Sequence, residues 1–227
     1  MKYDSIVEAF FLIRLNRFAA RVLLNGREET VHVKNTGRCA ELLVPGARVW
    51  LTAPGTPGRK LKYDLVTVQK KNGLMVNVDS QAPNKAALEY LKTLAFDRVV
   101  PEYRFGDSRI DFMAERGGEK TLIEVKGCTL EKDGVGYFPD APTERGVKHL
   151  RELIRARAEG WRAALLFVIQ MDGVKEVRAN TETHPEFGET LEEAKAAGVK
   201  VLFLRCWAEP DGLEVLSRGG GRFPEEP

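Results

Sequence analysis

Three residues have the types and the spacing that metal-dependent hydrolysis of phosphodiesters needs: Asp111, Glu124 and Lys126. Carboxylate oxygens are ligands for hard divalent cations such as Mg²⁺ or Mn²⁺, which keep water and phosphate oxygens as their other ligands. A lysine beside such an ion can orient an attacking water or neutralise charge that develops on the phosphate. The same three residues could also form an ordinary cross-strand ion pair. Their placement in the fold decides between the two interpretations.

A hairpin would bring these residues together. Alternating apolar and polar residues run through 108–115 and 120–126, on either side of Gly117-Gly118, a pair typical of a two-residue turn. This turn sets Asp111 opposite Glu124, with Cβ atoms about 5 Å apart on one face of the sheet. The lysine two residues beyond Glu124 shares that face, because side chains alternate along a strand. Two opposed carboxylates repel each other, so the register predicts a cation between them.

The other face of this hairpin and the segment before it complete the expected site. Ile110, Phe112, Ile123 and Val125 should point to the opposite face and enter the core. Glu102 follows a proline just before the hairpin and is a further candidate metal ligand, although many such glutamates simply face solvent. The predicted metal ligands are therefore the two opposed carboxylates, with this glutamate as a third.

The elements around the hairpin alternate between helical and strand patterns. Asn84 is a candidate cap for a helix that runs to Leu94. A basic helix is predicted from about residue 143 to 159, and Lys148 and His149 lie near its start, where they could meet phosphate. The alternation predicts an α/β domain with a mixed sheet. Its other predicted parts are a loop over 127–142, a buried strand over 163–169, a helix over 186–197 and a strand over 199–204.

The first third of the chain has short apolar segments separated by turn residues. The apolar segment 10–24 is followed by the hairpin signal Asn25-Gly26, and further strands are predicted over 30–33, 47–53, 63–70 and 74–78. This pattern fits a small barrel of the oligonucleotide/oligosaccharide-binding (OB) kind, with an SH3-like barrel or a sandwich as alternatives. Candidate DNA contacts here are Arg14, Arg17, Arg21, Lys34, Asn35 and Arg38, and candidate stacking residues are Phe11, Phe18 and Trp50.

Composition limits the class and the setting of the protein. Of 227 residues, 30% are charged and 43% hydrophobic, which is typical of an ordinary globular protein. Residues 1–81 hold 13 basic and 7 acidic side chains, which favours either a polyanionic partner such as DNA or a solvated basic face. Cys39, Cys128 and Cys206 lie far apart, which argues against a disulfide framework or a zinc site and fits a reducing cytoplasm. No segment is long and apolar enough to predict a membrane span.

Several strings of residues along almost the whole chain resemble the sugar fermentation stimulation protein A family. They are Asn35-Thr36-Gly37-Arg38, Glu41-Leu42-Leu43-Val44-Pro45-Gly46, Ser108-Arg109-Ile110-Asp111-Phe112, Glu124-Val125-Lys126, Phe138-Pro139-Asp140-Ala141, and Thr143-Glu144-Arg145-Gly146 followed by Lys148-His149-Leu150. The resemblance implies an OB-type barrel joined to a restriction-endonuclease-like domain. It also implies DNA binding without marked sequence preference and a regulatory role in sugar (maltose) metabolism. Val147 departs from the family pattern, because glutamine is common at that position.

The residues and the resemblance together give one set of expectations. The fold is α/β, with an OB-like barrel over 1–81, a nuclease-like domain with a mixed sheet over 82–217 and a flexible tail over 218–227. The protein is expected to be a cytoplasmic, DNA-binding protein with a Mg²⁺ or Mn²⁺ site, and a homo-oligomer is left open. The alternatives are a non-catalytic DNA-binding regulator on a nuclease-like scaffold and a module that binds carbohydrate or protein, because fold does not determine function.

Overall fold

The structure is a computed structural model that describes residues 1–55 and 58–216. The tail expected over 218–227 lies outside the described residues. Within the described part of the chain, no helix is long and apolar enough to cross a membrane. The three cysteines are buried and unpaired, as their spacing predicts.

The first part of the chain forms a closed barrel. Its strands are β1 (Ile6–Asn16), β2 (Ala19–Leu24), β3 (Arg27–Val33), β4 (Arg48–Thr52), β5 (Asp64–Gln69) and β6 (Met75–Asn77). They lie in the order β3-β2-β1-β4-β5-β6, and a short parallel pairing of β3 with β5 closes the barrel. The prediction of an OB-like barrel is therefore confirmed.

The apolar segment 10–24 was expected to be one long element, and this expectation is wrong. It is a hairpin in which β1 and β2 pair around Arg17 and Phe18. Asn16 makes this turn, because its side-chain oxygen accepts the Phe18 N–H at 2.8 Å. An asparagine that bonds the backbone two residues on is a turn signal, but without glycine beside it the signal is weak in the sequence.

The second part of the chain is built on a six-stranded mixed sheet. Its strands are β7 (Arg98–Phe105), β8 (Ser108–Arg116), β9 (Glu119–Cys128), β12 (Arg162–Ile169), β14 (Lys200–Glu209) and β15 (Gly212–Val215), in the order β15-β14-β12-β9-β8-β7. The central strands β9, β12 and β14 are parallel, and β7, β8 and β15 add antiparallel edges. The predicted α/β domain with a mixed sheet is confirmed.

Helices cover both faces of this sheet, which explains why β12 is apolar along nearly its whole length. The helices are α1 (Ala82–Thr93), α2 (Glu144–Ala158) and α3 (Pro185–Ala196). Leu165 and Phe167 of β12 pack in the apolar cluster that contains α2 and α3, and Leu166 and Val168 pack in the cluster that contains α1. The alternation of side chains along β12 therefore divides the core into two layers.

Two local predictions in this domain are wrong. Asn84 does not cap α1, because the helix already begins at Ala82, and a proline stands in its first turn. The segment 127–142 is not a plain loop, since it contains β10 (Leu130–Lys132) and β11 (Val135–Phe138). These two strands form a small sheet with β13 (Val177–Ala179), which lies far along the sequence. The pairing with β13 leaves no local signal, but Asp133-Gly134, between the paired residues Lys132 and Val135, is a two-residue hairpin signal that could have predicted β10 and β11.

Polar and apolar contacts join the barrel to the α/β domain. One apolar cluster runs from Val22 and Leu51 of the barrel to Leu165 of β12. The Lys34 ammonium lies 2.9 Å from the Asp79 carboxylate, which is fully buried. The domain division after residue 81 stays a prediction, because these contacts make the two parts one continuous core.

Candidate functional site

The register of the hairpin formed by β8 and β9 agrees with the prediction from Gly117-Gly118. Arg116 pairs with Glu119, and Phe112 pairs with Ile123. The ladder of pairs ends there, at the point where the candidate site begins. Beyond it the Asp111 side chain replaces a ladder bond, because its Oδ2 accepts the Val125 N–H at 2.8 Å.

The alternation of side chains shifts at Asp111. Phe112, Ile123 and Val125 lie in the apolar cluster with α1, as expected, but Ile110 lies in the cluster with α2 and α3. The predicted face of Ile110 is therefore wrong. In a regular strand the side chains of Ile110 and Phe112 would lie on the same face. Here they lie on opposite faces, so the regular alternation of side chains is interrupted between them. This change falls at the residue whose carboxylate makes the side-chain bond across the hairpin.

Asp111 is held by two elements. Asn84 of α1 donates its side-chain N–H to Asp111 Oδ1 at 2.7 Å, and the Val125 amide donates to Oδ2. Burial raises the pKa of the Asp111 carboxyl, and the nearby charge of Glu124 raises it further, although the Val125 N–H and Lys126 act in the opposite direction. The sequence identified this aspartate but not Asn84, whose role depends on a contact between residues far apart in the chain.

Glu124 lies at the centre of a buried polar cluster. Its side chain is 1% exposed, and its Oε1 accepts hydrogen bonds from the Lys126 ammonium and from His149 Nδ1. Its other oxygen, Oε2, is buried and accepts no hydrogen bond from any residue in the described part of the chain. Burial raises the pKa of Glu124, but the Lys126 charge and the His149 bond outweigh it, and the net pKa is lowered. The site therefore holds Glu124 ionised with one oxygen left for a further ligand.

His149 holds the orientation of Glu124. Arg145, one turn earlier on α2, donates its Nε–H to His149 Nε2 at 3.3 Å. Because Nε2 accepts this bond, the hydrogen-bond network places the proton of a neutral ring on Nδ1, which donates to Glu124. The i, i+4 spacing of Arg145 and His149 on a helix was a signal that could have identified this pair.

The chemistry of the cluster fits a divalent cation. An ionised carboxylate oxygen that is buried without a donor is costly, and a hard cation is the partner that carboxylates most readily accept. Asp111 and Glu124 are the residues that could hold it. Glu102, the third predicted ligand, instead accepts a bond from Arg109 at 3.2 Å, and its side chain is 73% exposed.

A second group of potential metal ligands lies where α2 and α3 begin. Glu144, His184 and Glu186 bring their ligand atoms within 4.8 Å of one another. His184 Nδ1, however, accepts the Thr143 N–H at 3.1 Å. A neutral ring then carries its proton on Nε2, which faces the two carboxylates as a donor rather than as a ligand. In a metal-binding histidine, one ring nitrogen binds the ion and the other donates its N–H to a neighbouring acceptor. His184 instead accepts at Nδ1, so this group is better suited to joining α2 and α3.

The basic residues predicted to contact DNA divide into two groups. Arg17, Arg38 and Lys148 are exposed and available to an incoming strand. Arg21 forms an exposed ion pair with Glu28. The others make internal contacts: Lys34 reaches buried Asp79, Asn35 Oδ1 accepts the Gly37 N–H, Arg14 bonds backbone carbonyls, and His149 bonds Glu124.

Of the predicted stacking residues, Phe11 and Trp50 are buried, and Phe18 is 47% exposed beside the Arg17 guanidinium.

Arg14 organises the segment that contains Asn35 and Gly37. Its guanidinium donates to the carbonyl oxygens of Asn35 at 2.8 Å and Gly37 at 2.7 Å, and to those of Asn16, Arg17 and Arg38. Since hydrogen bonds from charged donors are the stronger ones, we expect Arg14→Ala to lower the free energy of unfolding by about 2 kcal/mol. Urea denaturation measures this.

Arg17→Ala is the control for this prediction. Arg17 is exposed and its side chain bonds no backbone carbonyl in the described chain, so the substitution should leave stability unchanged and lower DNA affinity. Equal stability of the Arg14 and Arg17 variants would contradict the structural role of Arg14.

Comparison with known proteins gives a consistent result. The chain matches two family models, the SfsA N-terminal OB domain over residues 12–78 and the sugar fermentation stimulation protein RE domain over residues 80–212. A sugar fermentation stimulation protein homolog of Desulfitobacterium hafniense is 50% identical over 218 residues, which cover 95% of each chain. The homolog of Clostridium beijerinckii is 47% identical over 221 residues, or 95% of this chain and 96% of that protein.

A solved structure has the same fold. The structure of Pyrococcus furiosus SfsA in complex with Ca²⁺ superposes with a TM-score of 0.85 at 29% identity, and the match covers 97% of this chain and 96% of that one. The two proteins therefore share one fold over nearly the whole length of both chains. The chain belongs to the sugar fermentation stimulation protein family.

Proposed function

We propose that this protein binds DNA and hydrolyses its phosphodiester bonds at a divalent cation held by Asp111 and Glu124. The observation that carries the proposal is the Glu124 carboxylate, which is buried and kept ionised by Lys126 and His149, and whose Oε2 has no partner among residues 1–55 and 58–216. A purely structural cluster would satisfy both oxygens with donors. The Ca²⁺ complex of the Pyrococcus furiosus relative supports cation binding within this fold.

The residues of the site have distinct roles in such a reaction. A bound Mg²⁺ or Mn²⁺ would activate water and polarise the scissile phosphate. Asn84 and the Val125 amide fix the direction of the Asp111 carboxylate, and His149 fixes that of Glu124. The Lys126 side chain is 14% exposed, and we expect its ammonium to reach a phosphate oxygen at the site and to stabilise the charge that develops there.

The exposed basic residues support DNA as the substrate. Arg17 and Arg38 come from the barrel and Lys148 comes from α2, one residue before His149. Side chains of this kind contact phosphates without reading sequence, which suits the weak sequence preference implied by the family resemblance. A regulatory role in sugar metabolism, which the resemblance also implies, would act through this DNA binding. A homo-oligomer stays a prediction.

The test of the function is an incubation of the full chain with plasmid and with single-stranded DNA in Mg²⁺, Mn²⁺ or EDTA. We expect cleavage with the cations and none with EDTA, and an affinity that falls steeply with salt. If the protein binds DNA but the DNA stays intact with every cation, the non-catalytic regulator is the function that remains. Binding that is indifferent to salt would point to the carbohydrate- or protein-binding alternative.

Cation binding can be tested apart from cleavage. A ligand that binds only the folded state stabilises it, by about 2.7 kcal/mol at a hundred times its dissociation constant. We therefore expect Mn²⁺ to raise the melting temperature of the protein and Glu124→Gln to abolish that rise. Glu144→Gln, in the group with His184, should keep it. The reverse pattern would place the cation at the second group and contradict the proposal.

A further inference from the structure

A cavity of about 400 Å³ lies between the barrel and the α/β domain, beside the candidate metal site. Thr36 and Gly37 line it from the barrel, Gly127 and Gln170 line it from the sheet, and Asp140 lines it from the segment before α2. Two lining residues are chain neighbours of residues in the metal site, since Gly127 follows Lys126 on β9 and Pro83 precedes Asn84, which bonds Asp111. Its volume is in the range of sites that enclose small organic groups, about 300 to 1,000 Å³.

Gln170 gives the cavity an unpartnered acceptor. The side chain is 2% exposed, and its Nε2 donates to Asn77 O at 2.9 Å, Asn77 Oδ1 at 3.1 Å and Asp79 O at 3.1 Å. These three acceptors fix the orientation of the amide, because the flipped amide would place oxygen against oxygen. Its Oε1 accepts no hydrogen bond from any residue that the structure describes. This oxygen lies so close to Gly127 that an added Cβ there would overlap it.

Asp140 adds a second acceptor to the lining of the cavity. Within residues 1–55 and 58–216, its hydrogen bonds come from Cys39 alone, at 3.4 Å from the backbone N–H and 3.9 Å from Sγ, both long. Gly37 passes so close to the carboxylate that a Cβ at that position would overlap it. The cavity therefore offers an amide oxygen and a carboxylate, and both are free to accept hydrogen bonds from a ligand that carries donors.

We infer that this cavity receives one unpaired DNA base that carries N–H donors, such as guanine, next to the bond to be cleaved. A phosphate does not suit the cavity, because the Asp140 carboxylate would repel it. A base buried between two acceptors can satisfy them through its Watson–Crick edge, which is free only when the base is unpaired. Arg17 at the rim of the same cavity is placed for the adjoining phosphate. This inference rests on the proposed function and specifies its substrate as single-stranded or locally opened DNA.

The inference is tested by binding in EDTA, where no cleavage occurs, with the full chain. The probes are a labelled oligothymidylate, the same strand with one central guanine, and a blunt duplex of that second sequence. We expect the guanine-containing strand to bind about fivefold or more tighter than either other probe, which is the effect of one good base contact. Thr36→Trp, which fills the cavity from an exposed residue without a side-chain hydrogen bond in the described chain, should remove the advantage.

Two further variants complete the design. Thr93→Trp adds the same side chain at an exposed residue of α1 away from the cavity and should retain the advantage of the guanine strand. Asp140→Asn keeps the volume but removes the carboxylate, and it should reduce the preference for guanine. If the wild type binds all three probes equally, or Thr36→Trp behaves like Thr93→Trp, the inference is overturned, while salt-dependent binding and Mn²⁺-dependent cleavage would still stand. If the wild type binds none of the probes, the proposed function itself fails.

Discussion

Lys126→Ala is expected to lower the rate of Mn²⁺-dependent DNA cleavage by about 100-fold or more, the usual effect of removing a group that stabilises transition-state charge. Of the two side chains that donate to Glu124 in the described part of the chain, Lys126 is the more exposed, at 14% against 7% for His149. DNA affinity should change little, because the exposed residues Arg17 and Lys148 keep their phosphate contacts. Single-turnover cleavage of a labelled strand measures the rate, and fluorescence anisotropy measures the affinity.

Asp111→Asn should give a loss of similar size by a different route. Asparagine keeps the shape and can still accept the Val125 N–H, but it removes the charge that a cation needs. Lys120→Ala is the control, since Lys120 lies near the start of β9, at the end away from Lys126, and its ammonium lies 5.5 Å from the centre of the Trp161 ring. If the Lys126→Ala or the Asp111→Asn variant cleaves DNA as fast as the Lys120→Ala variant does, the residue changed in that variant takes no part in the reaction.

The second large effect is expected at Lys34, which the sequence assigned to DNA. Its ammonium is 16% exposed and lies 2.9 Å from Asp79, which is fully buried. Lys34→Met would leave a buried carboxylate without its cation, and breaking such a pair usually costs about 3 to 5 kcal/mol. Tyr3, which donates its hydroxyl to the same carboxylate at 3.1 Å, would recover part of this loss. We therefore expect the free energy of unfolding to fall by about 3 kcal/mol, measured by chemical denaturation.

Two comparisons isolate the cause. Arg21→Met breaks the exposed pair with Glu28 and should cost no more than about 1 kcal/mol. The double variant Lys34→Met/Asp79→Asn removes both charges and should be more stable than Lys34→Met alone. A Lys34 variant that loses no more stability than the Arg21 variant would show that Asp79 does not depend on the lysine.

The sequence predicted those features that local signals specify. Gly117-Gly118 fixed the hairpin, and side-chain alternation around it gave the register that the structure has between Arg116 and Phe112. Thr143 and the apolar stripe that follows it predicted α2, whose first turn Thr143 caps through a bond from the Gly146 N–H. The separation of a barrel pattern from an α/β pattern followed from the change in period after residue 81. In each case the residues that decide the structure lie within a few positions of one another.

What the sequence could not predict depends on contacts between distant residues. Asn84 was predicted to cap a helix, but its side chain donates a hydrogen bond to Asp111, which lies 27 residues later in the sequence. Lys34 and Arg14 were predicted to contact DNA. In the structure Lys34 pairs with the buried Asp79 carboxylate, and Arg14 donates hydrogen bonds to backbone carbonyl oxygens. An internal partner is invisible in the sequence unless its spacing repeats a local pattern. The basic surplus of the first third was therefore a weaker guide to a DNA surface than it appeared, because Lys34 and Arg14 are engaged by contacts within the fold.

The continuous core constrains how a substrate can approach. Val22 and Leu51 of the barrel belong to the same apolar cluster as Leu165 and Leu150 of the α/β domain. Separating the two halves like a clamp would expose this shared interior to water, which is strongly unfavourable. If the proposed function holds, a nucleic acid strand would therefore bind along the outer surface of the two joined parts rather than between separated halves.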